Sequence, residues 1–198
     1  MARASREQAD KHREAIEQAS SRLFRERGLN GVSVAELMAS AGLTHGGFYG
    51  HFSSKDALAA LASKRAFEES AWRWSRRIER AEGDKRVMRA SLVEPYLTAE
   101  HCSSPGDGCA AVALAGDVAR EPADKPVRQV YIDGFKVMVE DWMKTVEHAD
   151  PAERRKLALG HLATLVGAMT LARATEGDAL SEDILAAARD MLLGPDSQ

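Results

Sequence analysis

The sequence predicts an all-α protein, and three observations favour that class. Ala, Leu, Glu and Arg outnumber the β-branched residues, only six prolines interrupt the chain, and apolar residues recur at helical spacing. With 44% hydrophobic and 29% charged residues among 198, the chain has the composition of a globular protein with its own core. Disordered and fibrous proteins have other compositions.

Cysteine content and the amino terminus bear on the cellular compartment. Two cysteines are too few for a disulfide scaffold, and the charged first fourteen residues do not resemble a secretory signal. We therefore expect a cytoplasmic protein. The apolar stretch Leu157–Ala172 is about sixteen residues long, shorter than the roughly twenty that a membrane span requires. It predicts a buried helix and no membrane partner.

The first helix is predicted over about Arg6–Arg27, because an apolar stripe includes Ile16 and Phe24 at helical spacing. Gly28 follows as a stop signal. A second helix begins after Ser33, which forms a capping box with Glu36.

The second helix ends near Gly42, and Thr44 offers another N-cap. The segment 45–52 that follows contains three glycines and is a poor helix by propensity. A long helix is then predicted over Lys55–Arg80. The expected core of this region is Leu23, Phe24, Val34, Leu37, Leu43, Phe48 and Phe52.

The rest of the chain reads as helices of ordinary length with a Ser/Pro/Gly loop at Ser103–Gly108. The predicted helices are Asp84–Ala99, Cys109–Arg120, Lys125–His148, Pro151–Thr175 and Ser181–Leu193.

Two short helices joined by the turn Ala41-Gly42-Leu43, under a preceding amphipathic helix, indicate a helix-turn-helix. In that motif the second helix lays its first residues in the DNA major groove. The charge distribution agrees with this interpretation. Residues 1–55 carry eight basic and six acidic side chains, whereas the other 143 residues carry nineteen and twenty-four.

Residues 10–60 resemble the DNA-binding domain of the TetR family of transcriptional regulators. The resemblance is carried by Gly31-Val-Ser-Val-Ala-Glu-Leu, by Ala41-Gly-Leu-Thr-His, and above all by Phe48-Tyr49-x-His51-Phe52-x-x-Lys55. It implies a three-helix DNA-binding domain over residues 1–55 and a helical ligand-binding and dimerisation domain over residues 56–198.

The resemblance also implies roles for individual residues. Residues at the phosphate-contacting positions are Ser33, Thr44, Tyr49, His51 and Lys55. Residues at the positions that face base edges are His45, Gly46 and Gly47. Because Gly47 has no side chain, we expect base reading to fall on His45 and Tyr49, or on DNA shape.

A two-fold dimer is expected, because one such module seldom binds DNA tightly enough alone. The resemblance places the dimer interface on the last two helices, which are rich in small and aliphatic residues. The expected interface residues are Gly160, Leu162, Ala163, Val166, Gly167, Met169, Leu185, Ala188 and Leu192. A fully buried central helix in a monomer is the alternative.

Large side chains between Phe67 and Val146 can line a pocket for an apolar ligand, or can simply form the core. The candidate ligand-binding residues among them are Tyr96, Tyr131, Phe135 and Trp142.

Cys109 is expected where a helix begins, a position that favours the reactive thiolate. Some regulators with a Gly-Cys pair before a small-residue helix respond to electrophiles or oxidants, and Cys102 is close enough in sequence to resolve an oxidised Cys109. Two ordinary small side chains are the alternative. The spacing does not favour a zinc site, because His101 adjoins a cysteine. No cofactor or catalytic motif is found.

The sequence therefore predicts a regulator, typically a repressor, that binds a palindromic duplex DNA operator as a homodimer. A small-molecule inducer or cysteine modification would release it. The alternative is a small helical cytoplasmic enzyme or thiol protein that acts through Cys109.

Overall fold

The computed structural model describes the backbone of residues 2–194 and the side chains of residues 6–194, and within that part it confirms the all-α class: it contains helices and no strand. The α-helices are α1 Ala2–Arg27, α2 Val34–Ser40, α3 Lys55–Arg80, α4 Lys85–Val93, α5 Ala99–Ser103, α6 Ala110–Arg120, α7 Pro126–Met143, α8 Pro151–Ala174 and α9 Ala179–Leu193. Two 3-10 segments, His45–Gly50 and Pro105–Asp107, complete the secondary structure.

The chain forms two compact units, Met1–Glu68 with Pro105–Gly134 and Glu69–Ser104 with Phe135–Gln198. Helices α3 and α7 each contribute to both units. The units follow spatial packing, so their limits do not address the functional division between residues 55 and 56. That division stays a prediction.

The first unit contains α1, α2, the 45–50 segment and α6. Its core includes Ile16, Phe24, Leu37, Phe48 and Leu58, all at most 1% exposed. Burial of Phe52 is also as predicted, whereas Leu23, Val34 and Leu43 are only half-buried.

The second unit contains α4, α5, α8 and α9. Its fully buried side chains include Leu92, Leu97, Trp142, Leu162 and Leu165. Buried Arg89 on α4 donates to the carbonyl oxygen of Thr145, at 2.9 Å, and thereby joins α4 to the turn after α7.

Two predicted helices were wrong in extent. The predicted helix Asp84–Ala99 ends early, at Val93, because Pro95 has no amide hydrogen with which to continue the helical hydrogen bonds; α5 begins only at Ala99. Helix α7 ends at Met143 and not at His148, since the chain turns through residues 144–146 to bury Thr145 and Val146.

Helix α8 is, among the described residues, long and apolar enough by composition to cross a membrane. Core helices of soluble proteins meet the same criterion, and six residues of α8 are buried in the fold.

Candidate nucleic-acid interface

Helix α2 begins as its sequence predicts. The Glu36 amide donates to Ser33 Oγ at 3.2 Å, and the Ser33 amide donates to Glu36 Oε2 at 2.8 Å. The hydrogen bond from the Ser33 amide, followed by one from Ser33 Oγ to Glu36 Oε2 at 2.7 Å, lowers the pKa of Glu36. The capping box therefore fixes the first turn of α2.

The turn after α2 requires Gly42, which has a φ of +72°. This left-handed conformation costs other residues roughly 1–2 kcal/mol. The Leu43 amide then donates to the Met38 carbonyl at 2.9 Å and closes the helix end. The chain is thereby directed into the 45–50 segment.

The 45–50 segment is a 3-10 helix anchored by the fully buried ring of Phe48. The ring of Tyr49 packs edge-on against Phe48, with centroids 5.3 Å apart, yet Tyr49 is 73% exposed. No atom would lie within 4 Å of a Cβ at Gly46 or Gly50. The exposed side of the segment therefore consists of glycine backbone and the side chains of His45 and Tyr49.

Side chains from α1 support the end of this segment. Arg13 donates to the carbonyl oxygen of His51 at 2.6 Å, and its guanidinium lies 4.7 Å from the centre of the Phe52 ring. The rings of His12 and His51 are 6.1 Å apart. The sequence analysis did not predict a role for His12 or Arg13, because a local sequence pattern does not reveal contacts with residues nearly forty positions away.

The candidate DNA-binding residues lie on one continuous stretch of the first unit. The exposed members are Ser33, Thr44, His45, Gly46, Gly47 and Tyr49, and the half-buried members are His51 and Lys55. One local expectation was wrong: Thr44 occupies the N-cap position, but its side chain makes no capping hydrogen bond. Its hydroxyl is thus not committed to the helix end.

The sequence model described as "Bacterial regulatory proteins, tetR family" matches residues 16–62, which include α2, the turn and the 45–50 segment. The amino-terminal segment of this chain is a TetR-family helix-turn-helix domain. None of the curated proteins matches the chain at a significant level.

Solved structures extend the similarity of fold beyond this domain. A TetR-family regulator of Cytophaga hutchinsonii superposes with a TM-score of 0.78 at 20% identity, covering 96% of this chain and 98% of its own. A TetR-family regulator of Agrobacterium tumefaciens superposes with a TM-score of 0.76 at 21% sequence identity, over 93% of this chain and 97% of its own. The reduced form of E. coli NemR superposes with a TM-score of 0.73 at 21% sequence identity, over 91% of this chain and 94% of its own. The whole chain therefore has the TetR-family regulator fold.

Helix α6 contacts the carboxyl end of α1 and the loop that follows it. The Leu29 amide donates to Asp117 Oδ2 at 2.8 Å, and Asn30 Nδ2 donates to Glu121 Oε1 at 3.1 Å. Gly28 has a φ of +78°, and a Cβ there would stand 2.5 Å from Asp117 Oδ2. The glycine permits both the turn and the close approach of the carboxylate.

The loop before α6 contacts α1 as well. Buried Arg25 on α1 donates to the Gly108 carbonyl at 3.1 Å. Gly106 lies so close to Arg22 and Glu26 that a Cβ would collide with both side chains. The carboxyl end of α1 is therefore held by the loop just before Cys109, and the loop after α1 is held by the far end of α6. We call these contacts the α1–α6 clamp: Arg25–Gly108, Leu29–Asp117 and Asn30–Glu121.

Cys109 is the N-cap residue of α6 and is 5% exposed. Nearby, the Tyr131 hydroxyl donates to the Ala111 carbonyl at 2.8 Å. Burial, with a smaller contribution from Cys109, raises the pKa of Tyr131 to about 12. The ring of Phe67 packs edge-on against Tyr131 at 5.4 Å. Cys109 and Tyr131 are thus brought into one buried environment of the first unit.

The other candidate ligand-binding residues belong to the second unit. Tyr96 and Cys102 are buried there, Phe135 is half-buried, and Trp142 is fully enclosed beside Trp74, with ring centroids 5.7 Å apart. The Trp142 indole donates to His161 Nδ1 at 3.2 Å. Trp142 is therefore a packed core residue, and ligand contact by any of these side chains stays a prediction.

Both cysteines carry thiols. Among residues 6–194, no group of three or more His, Cys, Asp or Glu side chains is arranged to hold a metal ion.

The predicted dimer residues differ in their exposure, and the interface itself stays a prediction. Five of the nine are buried within the single chain and offer little surface to a second copy: Leu162, Met169, Leu185, Ala188 and Leu192. The other four, Gly160, Ala163, Val166 and Gly167, retain exposure. Periodicity identified α8 and α9 but not the side of each helix that packs inward.

The outward side of α8 and α9 also carries large exposed apolar side chains. Leu159 is 41% exposed, Leu171 57%, Leu180 51% and Met191 73%. A Cβ at Gly160 or Gly167 would meet nothing within 4 Å. We call this surface, with Ala163 and Val166, the α8–α9 face.

Proposed function

We propose that this protein is a homodimeric transcriptional repressor that binds a palindromic operator through its TetR-family domain. The observation that carries the proposal is the match of residues 16–62 to that family, on a segment whose exposed side consists of glycine backbone and the side chains of His45 and Tyr49. A glycine-lined surface allows close backbone approach to a DNA groove.

Phosphate contacts are assigned to Ser33, Thr44, Tyr49, His51 and Lys55. Thr44 and Tyr49 carry exposed hydroxyls at and next to the 45–50 segment, Ser33 is exposed at the start of α2, and Lys55 begins α3 shortly after the segment, all of which supports roles as backbone-positioning groups. His45, Gly46 and Gly47 face the base edges. With two glycines at these positions, sequence preference depends strongly on groove shape and deformability.

The proposed dimer forms through the α8–α9 face. Large apolar side chains are exposed there beside glycines that let two helix backbones approach closely. Several exposed large apolar side chains on two neighbouring helices favour an interface there. A two-fold axis through this face relates the DNA-binding segments of the two copies. Each segment then binds one half-site, and the operator has the same two-fold symmetry.

Release is proposed to follow ligand binding or modification of Cys109. Cys109 is the N-cap of α6, and the α1–α6 clamp joins the loop before that helix to α1 and the far end of the helix to the loop after α1. A change that shifts α6 therefore alters the support of the DNA-binding segment. A ligand that binds the released conformation more tightly than the DNA-binding conformation weakens operator binding by that difference in affinity. NemR, of similar fold, was solved in a form described as reduced.

Regulation of DNA is favoured over catalysis, and the site of action is the cytoplasm. The match of residues 16–62 to a family of regulatory proteins supports DNA binding, and no comparison supports a catalytic activity of this chain.

The test is binding of the purified protein to duplex fragments from around its own coding region, across a salt series. Saturable, sequence-selective binding with a steep salt dependence supports the proposal. Equal weak binding to every fragment, including a scrambled duplex of the same length, contradicts the operator assignment at those fragments. The protein is then used to select bound duplexes from a random-sequence DNA library. If no sequence is enriched, the proposal that the protein recognises DNA sequence is rejected.

A further inference from the structure

The 45–50 segment is weakly restrained by its own sequence. Three of its six residues are glycines: Gly46, Gly47 and Gly50. Glycine loses more conformational freedom on folding than any other residue, so contacts from outside the segment must fix a single backbone conformation. The buried ring of Phe48 supplies one such contact with the core. A second comes from helix α1.

Arg13 on α1 holds the chain directly after this segment. Its Nη1 donates to the His51 carbonyl oxygen at 2.6 Å. His51 is the C-cap residue of the segment, and carbonyl groups at a helix end lack partners within the helix. An arginine side chain can act as their donor. Arg13 therefore fixes the backbone at the point where the segment ends.

The guanidinium of Arg13 also covers an aromatic ring. Its Cζ lies 4.7 Å from the centre of the Phe52 ring, which is 4% exposed. The centres of the Phe52 and Phe48 rings are 5.7 Å apart, and Phe48 packs edge-on against Tyr49. A row of contacts thus runs from Arg13 through two buried rings to the exposed phenol of Tyr49.

Arg13 is itself fixed on α1. Its Nε lies 3.0 Å from Glu17 Oε1, in an ion pair one turn along the same helix. Ile16, in the same turn, is fully buried and anchors this part of α1 in the core. The guanidinium therefore faces Glu17 and the His51 carbonyl with different nitrogens while its carbon lies over a ring. A planar group with several fixed donors can make these contacts together, whereas an ammonium group has no plane.

We propose that Arg13 is a positioning residue that gives operator binding its sequence selectivity. It acts through His51 and Tyr49 and requires no contact of its own with a base. Recognition across glycine backbone depends on fit to the groove, and such a fit requires one fixed backbone conformation. Charge-driven phosphate contacts supply binding to any sequence. The effect on DNA binding rests on the proposed function, whereas the restraint of the segment does not.

The first experiment compares the full-length protein with Arg13→Gln and Lys11→Gln. Each variant removes one positive charge from α1, but Lys11 is exposed and pairs only along its own helix with Glu7, at 2.9 Å. Binding is measured to the duplex that the unmodified protein enriches from the random library and to a scrambled duplex of the same length. Both measurements are made where every variant is fully folded.

Arg13→Gln should weaken binding to the enriched duplex at least tenfold. Its affinity for the scrambled duplex should stay within about twofold of that of Lys11→Gln, because both have lost the same charge. Equal losses of Arg13→Gln on the two duplexes would show that Arg13 contributes only charge. Equal losses of the two variants on the enriched duplex would likewise overturn the proposal.

Arg13→Lys separates geometry from charge. It keeps the positive charge but loses the plane that covers Phe52 and the fork of donors. We expect binding to the enriched duplex to be at least about threefold weaker than in the unmodified protein, with scrambled-duplex binding unchanged. Unmodified affinity of Arg13→Lys for the enriched duplex overturns the positioning role.

Amide hydrogen exchange measures the restraint without DNA. The His51 and Phe52 amides both donate to the Phe48 carbonyl, at 2.9 and 3.0 Å. In Arg13→Gln these two amides should exchange at least about fivefold faster, while those of Lys11→Gln and the amides of α8 keep their rates. Equal exchange in Arg13→Gln and Lys11→Gln overturns the restraint. Faster exchange throughout Arg13→Gln, α8 included, would show a global loss of stability and also overturns it.

The two kinds of measurement fail separately. If the unmodified protein enriches no sequence, the proposed function is rejected together with the selectivity that depends on it. The exchange rates of the His51 and Phe52 amides then decide by themselves whether Arg13 holds the segment. If the unmodified protein enriches a sequence and Arg13→Gln binds it normally, only the role of Arg13 is rejected.

Discussion

The Leu29 amide donates to the Asp117 carboxylate at 2.8 Å, which joins the loop after α1 to helix α6 across 88 residues of sequence. The same carboxylate lies against Gly28, the left-handed residue that ends α1. This pair therefore lies between the proposed sensing helix and the helix-turn-helix. Loss of this hydrogen bond should affect both stability and control of DNA binding.

Asp117→Ala should lower the free energy of unfolding by about 1–3 kcal/mol, because it leaves the half-buried Leu29 amide without its acceptor. Denaturant unfolding measures the change. Arg120→Ala is the control: it removes only the exposed partner of the 2.9 Å ion pair with Asp117 and should cost under about 1 kcal/mol. Equal costs in the two variants would show that the amide contact contributes little.

Gly28→Ala and Gly42→Ala separate backbone strain from collision. Both glycines have positive φ, +78° and +72°, so each alanine should cost roughly 1–2 kcal/mol. Only at Gly28 does the new Cβ also meet Asp117 Oδ2, at 2.5 Å. Gly28→Ala should therefore be the more destabilising in thermal unfolding. If Gly42→Ala lowers Tm as much as Gly28→Ala or more, Asp117 does not approach Gly28 as closely as the structure shows.

Tyr49→Phe should weaken operator binding by about tenfold while leaving Tm unchanged, because the exposed hydroxyl supports no packing. Lys55→Ala should weaken binding on all sequences and reduce the salt slope by about one. Fluorescence anisotropy across a salt series measures both. Lys64→Ala, which removes an equal charge from an exposed part of α3, is the control and should bind normally. Normal binding by both Tyr49→Phe and Lys55→Ala would remove the phosphate assignments.

Cys109→Ser should keep basal operator binding and lose release by electrophiles, since the thiol begins the helix that contacts α1. An electrophile titration of the protein–DNA complex measures release. Cys102→Ser is the comparison, with release expected to persist. Release of the Cys109→Ser protein at the normal electrophile concentration would rule out thiol sensing at this position.

Ala163→Arg should shift the protein from dimer to monomer in sedimentation velocity, because it places a charge in the apolar α8–α9 face. A loss of more than about tenfold in dimer affinity is expected from an unpaired charge at an interface. Gln129→Arg, at an exposed position of α7, should leave the dimer intact. An unchanged Ala163→Arg dimer would place the interface elsewhere.

The Tyr131 phenol should make stability fall at alkaline pH. Its pKa is about 12 in the folded chain against an ordinary 10, so above pH 10 the unfolded state releases a proton that the folded state keeps. The stabilisation is complete below pH 10 and is lost as pH rises toward 12. The free energy of unfolding, measured from pH 10 to 12, should fall less steeply in Tyr131→Phe than in the unmodified protein. Equal falls in the two proteins would show that the Tyr131 hydroxyl is exposed to water in the folded state.

Local sequence determined those features of the protein that depend on neighbouring residues. The capping box of Ser33 and Glu36, the stop at Gly28 and the bounds of α3 follow from side chains within one or two turns of each other. The signature from Phe48 to Lys55 also identified the helix-turn-helix family, because it combines an anchoring aromatic with exposed polar groups in one short segment.

Tertiary structure alone decided which distant groups meet. Asp117 contacts Leu29, and Arg173 contacts His101 across 72 residues. Likewise, burial of Leu162 and exposure of Leu159 depend on how α8 packs, since an almost uniformly apolar helix carries no periodic sign of its inner side. Helical periodicity and caps are properties of a single segment, whereas contacts and exposure depend on how several segments pack together.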